Sequence, residues 1–524
     1  MKRSTRAVNI SNMANINQDL ETNQLSEGGL QEGVASLRGI KRKLHMTEET
    51  IYEKGFEQYD IHKVRVTGLL NKGDIMDFDY PSWGDCVRHF DGDFVIDIRF
   101  KMNNNNPFPL NPTTFLKNNV WVRHDFFHNL WESVEVLVNG QTLELPFNYD
   151  QTARVFDLLS VRMLDEDEEN LKTGFGIYRD AKMLPRGSGD TALQQTLADV
   201  KLTPDTLPTD TNNLQSATTI SYQDQGEYNE IYGKWLAGSP LIRFRGRIKH
   251  PLMNDTKFLP PECPIRVRMK LHRKGQLFQG RIDFMPQVIF EDAYFLDKTY
   301  KLTPEMASQF ANKIFRKNNQ IILPIERTVT TEHQLPKGKS VRLNRFFQGT
   351  LPRTMALVFI KTNAWKSENP ERNPYIYPFL GIRRMRLNYG NKSWPTKDGY
   401  EMDLPSGVRP PYNDDQLQTI MRKNWTVYQD NMKVFAGASN VSKLALGLKD
   451  WLTYQNVWCF DFTPMGNSAE MQHVSFPKME GHLDLDLEFE MEPLHTDTYT
   501  IVCFSQYDNQ FNITVPTWQS ERDW

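Results

Sequence analysis

Cysteine is scarce in this chain: 524 residues hold four, Cys86, Cys263, Cys459 and Cys503, all far apart. With no C-x-x-C pair among them, the pattern is neither a disulfide scaffold nor structural zinc, and it suits synthesis in a reducing interior. Long apolar runs are missing too. No stretch reaches the roughly eighteen residues that a membrane-crossing helix needs, so direct membrane insertion is not expected. The first residues, MKRSTRAVNISNMANINQDL, carry no apolar core of a secretory signal, so sequons such as Asn424-Trp-Thr are expected to stay unmodified. A charge of one sign is also lacking. Lys and Arg total 62 against 65 Asp and Glu, a formal net of -3. No global field therefore marks the chain for nucleic acid or a membrane surface.

Catalytic signatures are equally thin. His124 and His128 in RHDFFHNL have the i, i+4 spacing of a helical metal pair, but the glutamate of H-E-x-x-H is absent. Packing is the expected role of both. Gly338-Lys339-Ser340 resembles the tail of a phosphate loop, yet His333 stands where that loop needs a glycine. GFG (174–176) and GSG (187–189) read as loop punctuation, and no G-x-S-x-G elbow is present. The expectation is a protein with no catalytic residue, no cofactor and no metal site.

What is there is a folding core: 39% hydrophobic and 12% aromatic residues, in a chain long enough for two or more domains. Residues 1–50 are polar, with basic clusters at Lys2, Arg3, Arg6 and at Lys41, Arg42, Lys43. They read as a flexible arm, free or ordered against a neighbouring subunit. From about residue 85 a two-residue period takes over, with Phe94, Ile96, Ile98 and Phe100 alternating with Val95, Asp97 and Arg99. VEVLVNGQTLEL (134–145) predicts a hairpin about Asn139-Gly140. Strands are expected at 242–249 and 265–272, after a Thr-, Asp- and Ser-rich insertion at about 160–235 that reads as a surface loop. Thr303-Pro304-Glu305 predicts one helix, with Met306, Phe310 and Ile314 on one face. Further strands follow in QIILPIERTVTT, TMALVFIKT, RRMRLNYG, NVWCFDFTP and TYTIVCFSQY. Many strands and few helices indicate β-sandwiches.

Three strands carry charge in alternate positions. Arg243, Arg245, Arg247 and Lys249 form one basic row, and Arg266, Arg268, Lys270 and His272 another. GHLDLDLEFEMEPL (481–494) places Asp484, Asp486, Glu488, Glu490 and Glu492 in an acidic row. Neighbouring acids in such a row stand about 6.7 Å apart, within the roughly 6.5–9.5 Å of an inverting glycosidase pair. A catalytic pair, however, needs two carboxyls in unlike environments, and five equivalent acids supply none. Burying the whole row unpaired would cost several kcal/mol per ion, so it faces solvent or a basic partner. The two basic strands should not be sheet neighbours, because like charges opposite one another are destabilising. The expectation is that these rows are either solvated outer faces or subunit-contact faces, basic against acidic. A nucleic-acid groove ranks lower, because no stacking platform interleaves the charge.

An internal echo suggests duplication. VEVLVNGQTLELP (134–146) resembles RRMRLNYGNKSWP (383–395), and each is followed by two strands with a polar connection, 242–249 with 265–272 and 457–463 with 483–491. The boundary is placed near 285, giving a first domain at 51–284, a second at 285–515 and a tail at 516–524.

The second half then resembles the double jelly-roll major capsid proteins of polinton (Maverick) elements and adintoviruses, and more distantly adenovirus hexons and virophage capsid proteins. The residues that carry this are Leu351-Pro352 before an aliphatic strand, Asn373-Pro374-Tyr375, the turn Phe460-Asp461-Phe462-Thr463-Pro464, and Asp508-Asn509 in the closing strand. FFHNLWESVEVLVNG and GRIKHPLMNDTKFLPPECPIRVRMKL add a similar order in the first half. The resemblance spans about 85–513. It implies an all-β fold of two tandem antiparallel jelly-roll sandwiches. It also implies a homotrimeric, pseudo-hexagonal capsomer in an icosahedral virion shell around double-stranded DNA. Neighbouring capsomers, penton proteins and minor capsid proteins would be its partners, with no sequence-specific nucleic-acid binding. The competing expectation is a carbohydrate-binding or carbohydrate-active sandwich protein, with Trp365, Trp394 or Trp425 as stacking platforms.

Overall fold

Wherever apolar and ionic side chains alternate in this sequence, the chain forms a strand. The computed structural model describes residues 56–160 and 238–514, apart from short stretches of which 108–120 and 467–479 are the longest, together with 183–184 and 219–220. The expected arm, the tail, His124, GFG, GSG and nearly all of the insertion lie outside the described residues.

The first half contains β1 (Phe56–Arg65), β2 (Ile75–Tyr80), β3 (Cys86–His89), β4 (Asp93–Lys101), β5 (Trp131–Val138) and β6 (Gln141–Glu144). It continues with β7 (Ile242–Arg247), β8 (Ile265–Leu271) and β9 (Gln287–Leu302). One sheet runs β7-β4-β9, with β1 and β3 both pairing with β9; the other runs β2-β8-β5-β6. The second half contains β10 (Gln320–Gln334), β11 (Ser340–Thr350), β12 (Thr354–Lys361), β13 (Ile382–Tyr389), β14 (Lys392–Trp394), β15 (Val457–Asp461), β16 (Glu480–Phe489) and β17 (Tyr499–Thr514). Its sheets run β10-β17-β12-β15 and β11-β16-β13-β14.

Leaving the short β3 aside, both halves follow one rule. The first, eighth, third and sixth strands make one sheet, and the second, seventh, fourth and fifth make the other. That order is the jelly roll, two Greek keys folded into a double sheet. From β2 onward, the strand pairs of these sheets are antiparallel. The chain is therefore a double jelly roll, and the echo has a structural meaning. The repeated hairpins are the fourth and fifth strands of each roll, and the repeated pairs are the sixth and seventh. The first hairpin closes through Asn139 (φ 50°) and Gly140 (φ 75°), the left-handed pair of a primed turn.

The boundary expected at 285 is corrected by this topology. β9 lies in the first sheet, hydrogen-bonded to β4 from Gln287 to Phe295 and to β3 from Lys298 to Lys301. It is the closing strand of the first roll, and the chain crosses to the second through α3 (Pro304–Phe315), the helix expected at Thr303. Among the described residues, four helices were not expected: α1 (Phe126–Asn129), α2 (Tyr149–Leu158), α4 (Asp414–Ala436) and α5 (Leu448–Trp451). α4 opens on a capping box in which Asn413 and Gln416 exchange side-chain bonds with each other's backbone N–H. None of the helices among the described residues is long and apolar enough to cross a membrane.

Each roll has its own core, the first drawn mainly from residues between Val64 and Phe295, with Ile325 of β10 added, and the second mainly from Val341 to Phe504. α2 belongs to both. Tyr149 and Ala153 pack in the first core, whereas Val155, Leu158 and Leu159 pack in the second.

Candidate functional site

The charged rows sit where the alternation predicts, and most of their members find partners inside their own sheets. β7 and β8 are in different sheets, as like-charge repulsion requires. On β7, Arg243 grips Asp97 through two bonds of 2.7 Å, and Arg245 grips Asp93 at 3.0 and 2.7 Å. Both acids stand on the neighbouring β4, where the guanidinium groups cover them, so Asp93 and Asp97 are buried on the face expected to be wet. Arg247 is exposed opposite Asp93 in the register. Lys249 reaches Asp157 of α2 at 2.6 Å.

The second basic row, on β8, lies between acidic flanks. Arg266 bonds Asp79 and Arg268 bonds Asp77 on β2, Arg268 also faces Glu135 of β5 at 3.8 Å, and Lys270 pairs with Glu132 at 2.9 Å. Strand β16 reverses the signs at the equivalent place in the second roll. Asp484 and Asp486 meet Arg342 of β11 at 3.2 and 3.5 Å, and Asp486 meets Arg386 of β13 at 2.9 Å. Glu488 lies 3.8 Å from Arg384, which binds Glu401 more closely. Glu490 is buried, accepts the Gly407 N–H at 3.1 Å and lies 3.9 Å from Arg383. Glu492, past the end of β16, is half-buried.

The seventh strand of each roll is thus a charged centre between two flanks of opposite sign. Cross-strand pairs of this kind contribute up to about 1 kcal/mol each and favour the native register. A one-residue slip would turn every one of these charges into the core. The expected pairing of basic rows on one sandwich with the acidic row on the other is not what the chain does internally. Most members of each row pair within their own sheet, whereas Lys249 turns to α2.

Asp484 has a second task. The register of β11 against β16 shifts between Leu343 and Phe347, and in that bulge Arg345 adopts a left-handed φ of 54°. Asp484 accepts the Arg345 backbone N–H at 2.8 Å, and this bond, supported by Arg342 and opposed by partial burial, holds its carboxyl below the usual carboxylate range. A depressed folded value stabilises above the ordinary carboxylate pKa and ceases to do so as pH falls through the folded one. Asp484→Ala is expected to cost about 1–2 kcal/mol at neutral pH, discounted for its partial exposure. Urea denaturation should show that difference shrinking at about pH 3; an unchanged difference there would contradict the assignment.

The residues of the resemblance assemble at two places. Arg353, directly after Leu351-Pro352, is buried, pairs with Asp508 at 3.1 Å and Glu326 at 3.4 Å, and donates its N–H to Gln506. The Arg353 carbonyl accepts from Phe462, inside the turn where Asp461 Oδ1 accepts from the Thr463 N–H and hydroxyl. These segments therefore lock one end of the second roll. Pro374-Tyr375 instead runs to the first roll, Asn373 lying outside the described residues: the Tyr375 hydroxyl donates to Asp150 of α2 at 2.7 Å. Neither α2 nor Arg353 was singled out from sequence. An apolar helix with two stripes, Tyr149/Ala153 and Val155/Leu158, was the available signal for the former.

The sugar-platform reading finds two of its tryptophans occupied. Trp365 is buried with its indole N–H on Glu332 at 2.7 Å, and Trp394 packs against Phe462 at 5.2 Å between ring centroids. Trp425 is exposed on α4. His128 is buried, as the packing expectation had it. Among the described residues no group of three or more His, Cys, Asp or Glu could hold a metal ion.

No family model and no curated protein matches the chain. Among solved structures it is similar to the Sputnik virophage at 3.5 Å by cryo-EM, with 12% identity over 98% of this chain and 93% of that one, TM-score 0.48. It is also similar to a quasi-atomic PBCV-1 virus capsid (10% identity, 89% and 97% covered, TM-score 0.47) and to the Faustovirus major capsid protein (9%, 96% and 97%, TM-score 0.44). By its own strand order, the chain is an all-β protein of two tandem jelly rolls in which most charges of the three rows pair across neighbouring strands of one sheet.

Proposed function

We propose that this chain is a major capsid protein, a structural subunit that associates as a homotrimer of six jelly rolls and tiles an icosahedral virion shell around double-stranded DNA. The observation that carries the reading is the repetition of one complete jelly-roll strand order in a single chain. A trimer of such chains presents six nearly equivalent sandwiches, an outline suited to hexagonal tiling. Sandwich closure limits exposed strand edges, which otherwise template uncontrolled association. The resemblance of Leu351-Pro352, Phe460–Pro464 and Asp508-Asn509 to capsid proteins supports the same role.

Within the trimer the contacts are heterologous and close a ring. The rows Arg243–Lys249, Arg266–Lys270 and Asp484–Glu492 remain candidate contact faces, presented already paired, so contact there would select register more than add affinity. Penton and minor capsid proteins would dock at the edges of this block. An obligate interface of this kind buries on the order of 2,000–5,000 Å². Sedimentation velocity on the purified chain should give a trimer that persists on dilution. A monomer at every concentration would overturn the proposal.

A further inference from the structure

The joint between the two rolls is polar, buried and built on one short helix. From the first turn of α2, Asp150 accepts from Tyr375 at 2.7 Å, and Gln151 accepts from the Tyr377 hydroxyl at 2.9 Å while donating to the Pro374 carbonyl at 3.3 Å. At its other end the Leu158 carbonyl accepts from Leu446 at 3.2 Å, and Phe156 meets Phe435 at 5.7 Å between ring centroids. These groups hold the second roll.

The same helix is held to the first roll through His128, on α1. His128 Nδ1 lies 2.9 Å from the Tyr149 hydroxyl, and its Nε2 lies 3.4 Å from Asp157 Oδ2. The Tyr149 oxygen accepts the Lys249 backbone N–H at 3.1 Å and can donate its own proton to Nδ1. In the neutral form that burial favours, the ring then accepts at Nδ1 and carries its hydrogen at Nε2, toward Asp157. Asp157 is already matched by the Lys249 ammonium at 2.6 Å. α2 also carries Arg154, fully buried, and Asp150, which faces His272 at 3.4 Å.

We propose that α2 is an acid-released latch between the two jelly rolls: a proton taken up by His128 loosens the helix from the first roll and so uncouples the second. A second ring hydrogen would point at the Tyr149 hydroxyl proton, so two donors would meet where a donor and an acceptor now stand. It would also place a net positive charge beside a carboxylate whose charge is already balanced, in a buried site. Burial accordingly pushes the His128 imidazole down to about 4, with Asp157 opposing. An opened helix returns the ring to its ordinary value near 6.5, so opening takes up a proton and is favoured as pH falls from 6.5 toward 4.

Amide exchange of residues 149–158 in the full chain, divided by the chemical rate, tests this. Between pH 7 and pH 4.5 the opening of α2 should increase on the order of 10- to 100-fold, while β4 and β12 stay protected. His128→Asn, which keeps an acceptor toward Tyr149 but does not titrate, should remove the increase; His482→Gln, at an exposed position of β16, should leave it. An equal increase in His128→Asn would overturn the latch. If that variant does not fold, the unaltered chain still decides: no increase, or opening of α2 only together with both cores, would also overturn it.

Discussion

Replacing Arg88 by alanine is expected to destabilise the first roll by about 3–5 kcal/mol, because it takes the guanidinium partner away from a buried carboxylate. Asp297 has a fully buried side chain and takes the Arg88 Nε hydrogen at 2.8 Å. The remaining guanidinium hydrogens reach the Pro81 carbonyl at 2.6 Å and the Cys263 carbonyl at 3.4 Å. One side chain thus ties the sheet of β3 and β9 to the segments leaving β2 and entering β8 in the opposite sheet. Its planar cation also lies 5.3 Å from the centre of the Tyr80 ring. Removing both charges is a different experiment. Arg88→Met with Asp297→Leu should recover most of the loss, since the desolvation cost disappears with the pair. Urea denaturation of the three proteins separates these outcomes; a single variant within about 1 kcal/mol of the parent would contradict the pairing.

Phe94→Ala should cost a similar amount, about 3–5 kcal/mol, for a different reason. Its side chain has no solvent exposure and stands among Phe78, Phe295, Trp131 and Phe127, with ring centroids at 5.6, 4.6, 5.7 and 6.1 Å. Those rings come from β2, β9, β5 and α1, so the cavity cannot close by moving one element. Trp425→Ala, on the exposed side of α4, should change stability by no more than about 0.5 kcal/mol. The contrast between two large aromatics, read by the same denaturation experiment, checks which of them the fold uses. A loss below about 1 kcal/mol for Phe94→Ala would contradict the packing described.

The strands were legible because a two-residue period survives any tertiary context in which one face is dry. β4, β5, β8 and β16 all show it. The fully buried β12, TMALVFIK, was legible for another reason: both of its faces are covered, and it reads as a continuous apolar run. The duplication was visible in the hairpins and in the pairs after them, because the same sheet positions demand the same pattern. The boundary was not, since the closing strand of one roll and the opening strand of the next read alike, and only hydrogen bonding assigns β9.

α4 escaped because its buried stripe is interrupted by amides. Leu417, Ile420 and Tyr428 keep helical spacing, but Asn424 and Asn431 share their face. Both clamp backbone elsewhere: Asn424 exchanges bonds with Asp403, and Asn431 bonds the Val457 carbonyl and the Cys459 N–H. A polar residue that is satisfied only by tertiary contact looks like surface in a sequence. The charged rows posed the converse problem. Their alternation fixed which way they point, whereas their partners, on strands up to some 190 positions away such as Asp77 and Arg268, emerge only from sheet order.

Electron micrographs of the chain expressed alone test the central claim most directly. On the proposed reading, the chain should appear as uniform trimeric blocks of near-hexagonal outline, or as closed shells built from them. Isolated two-lobed particles that never associate, at any concentration or salt, would contradict it.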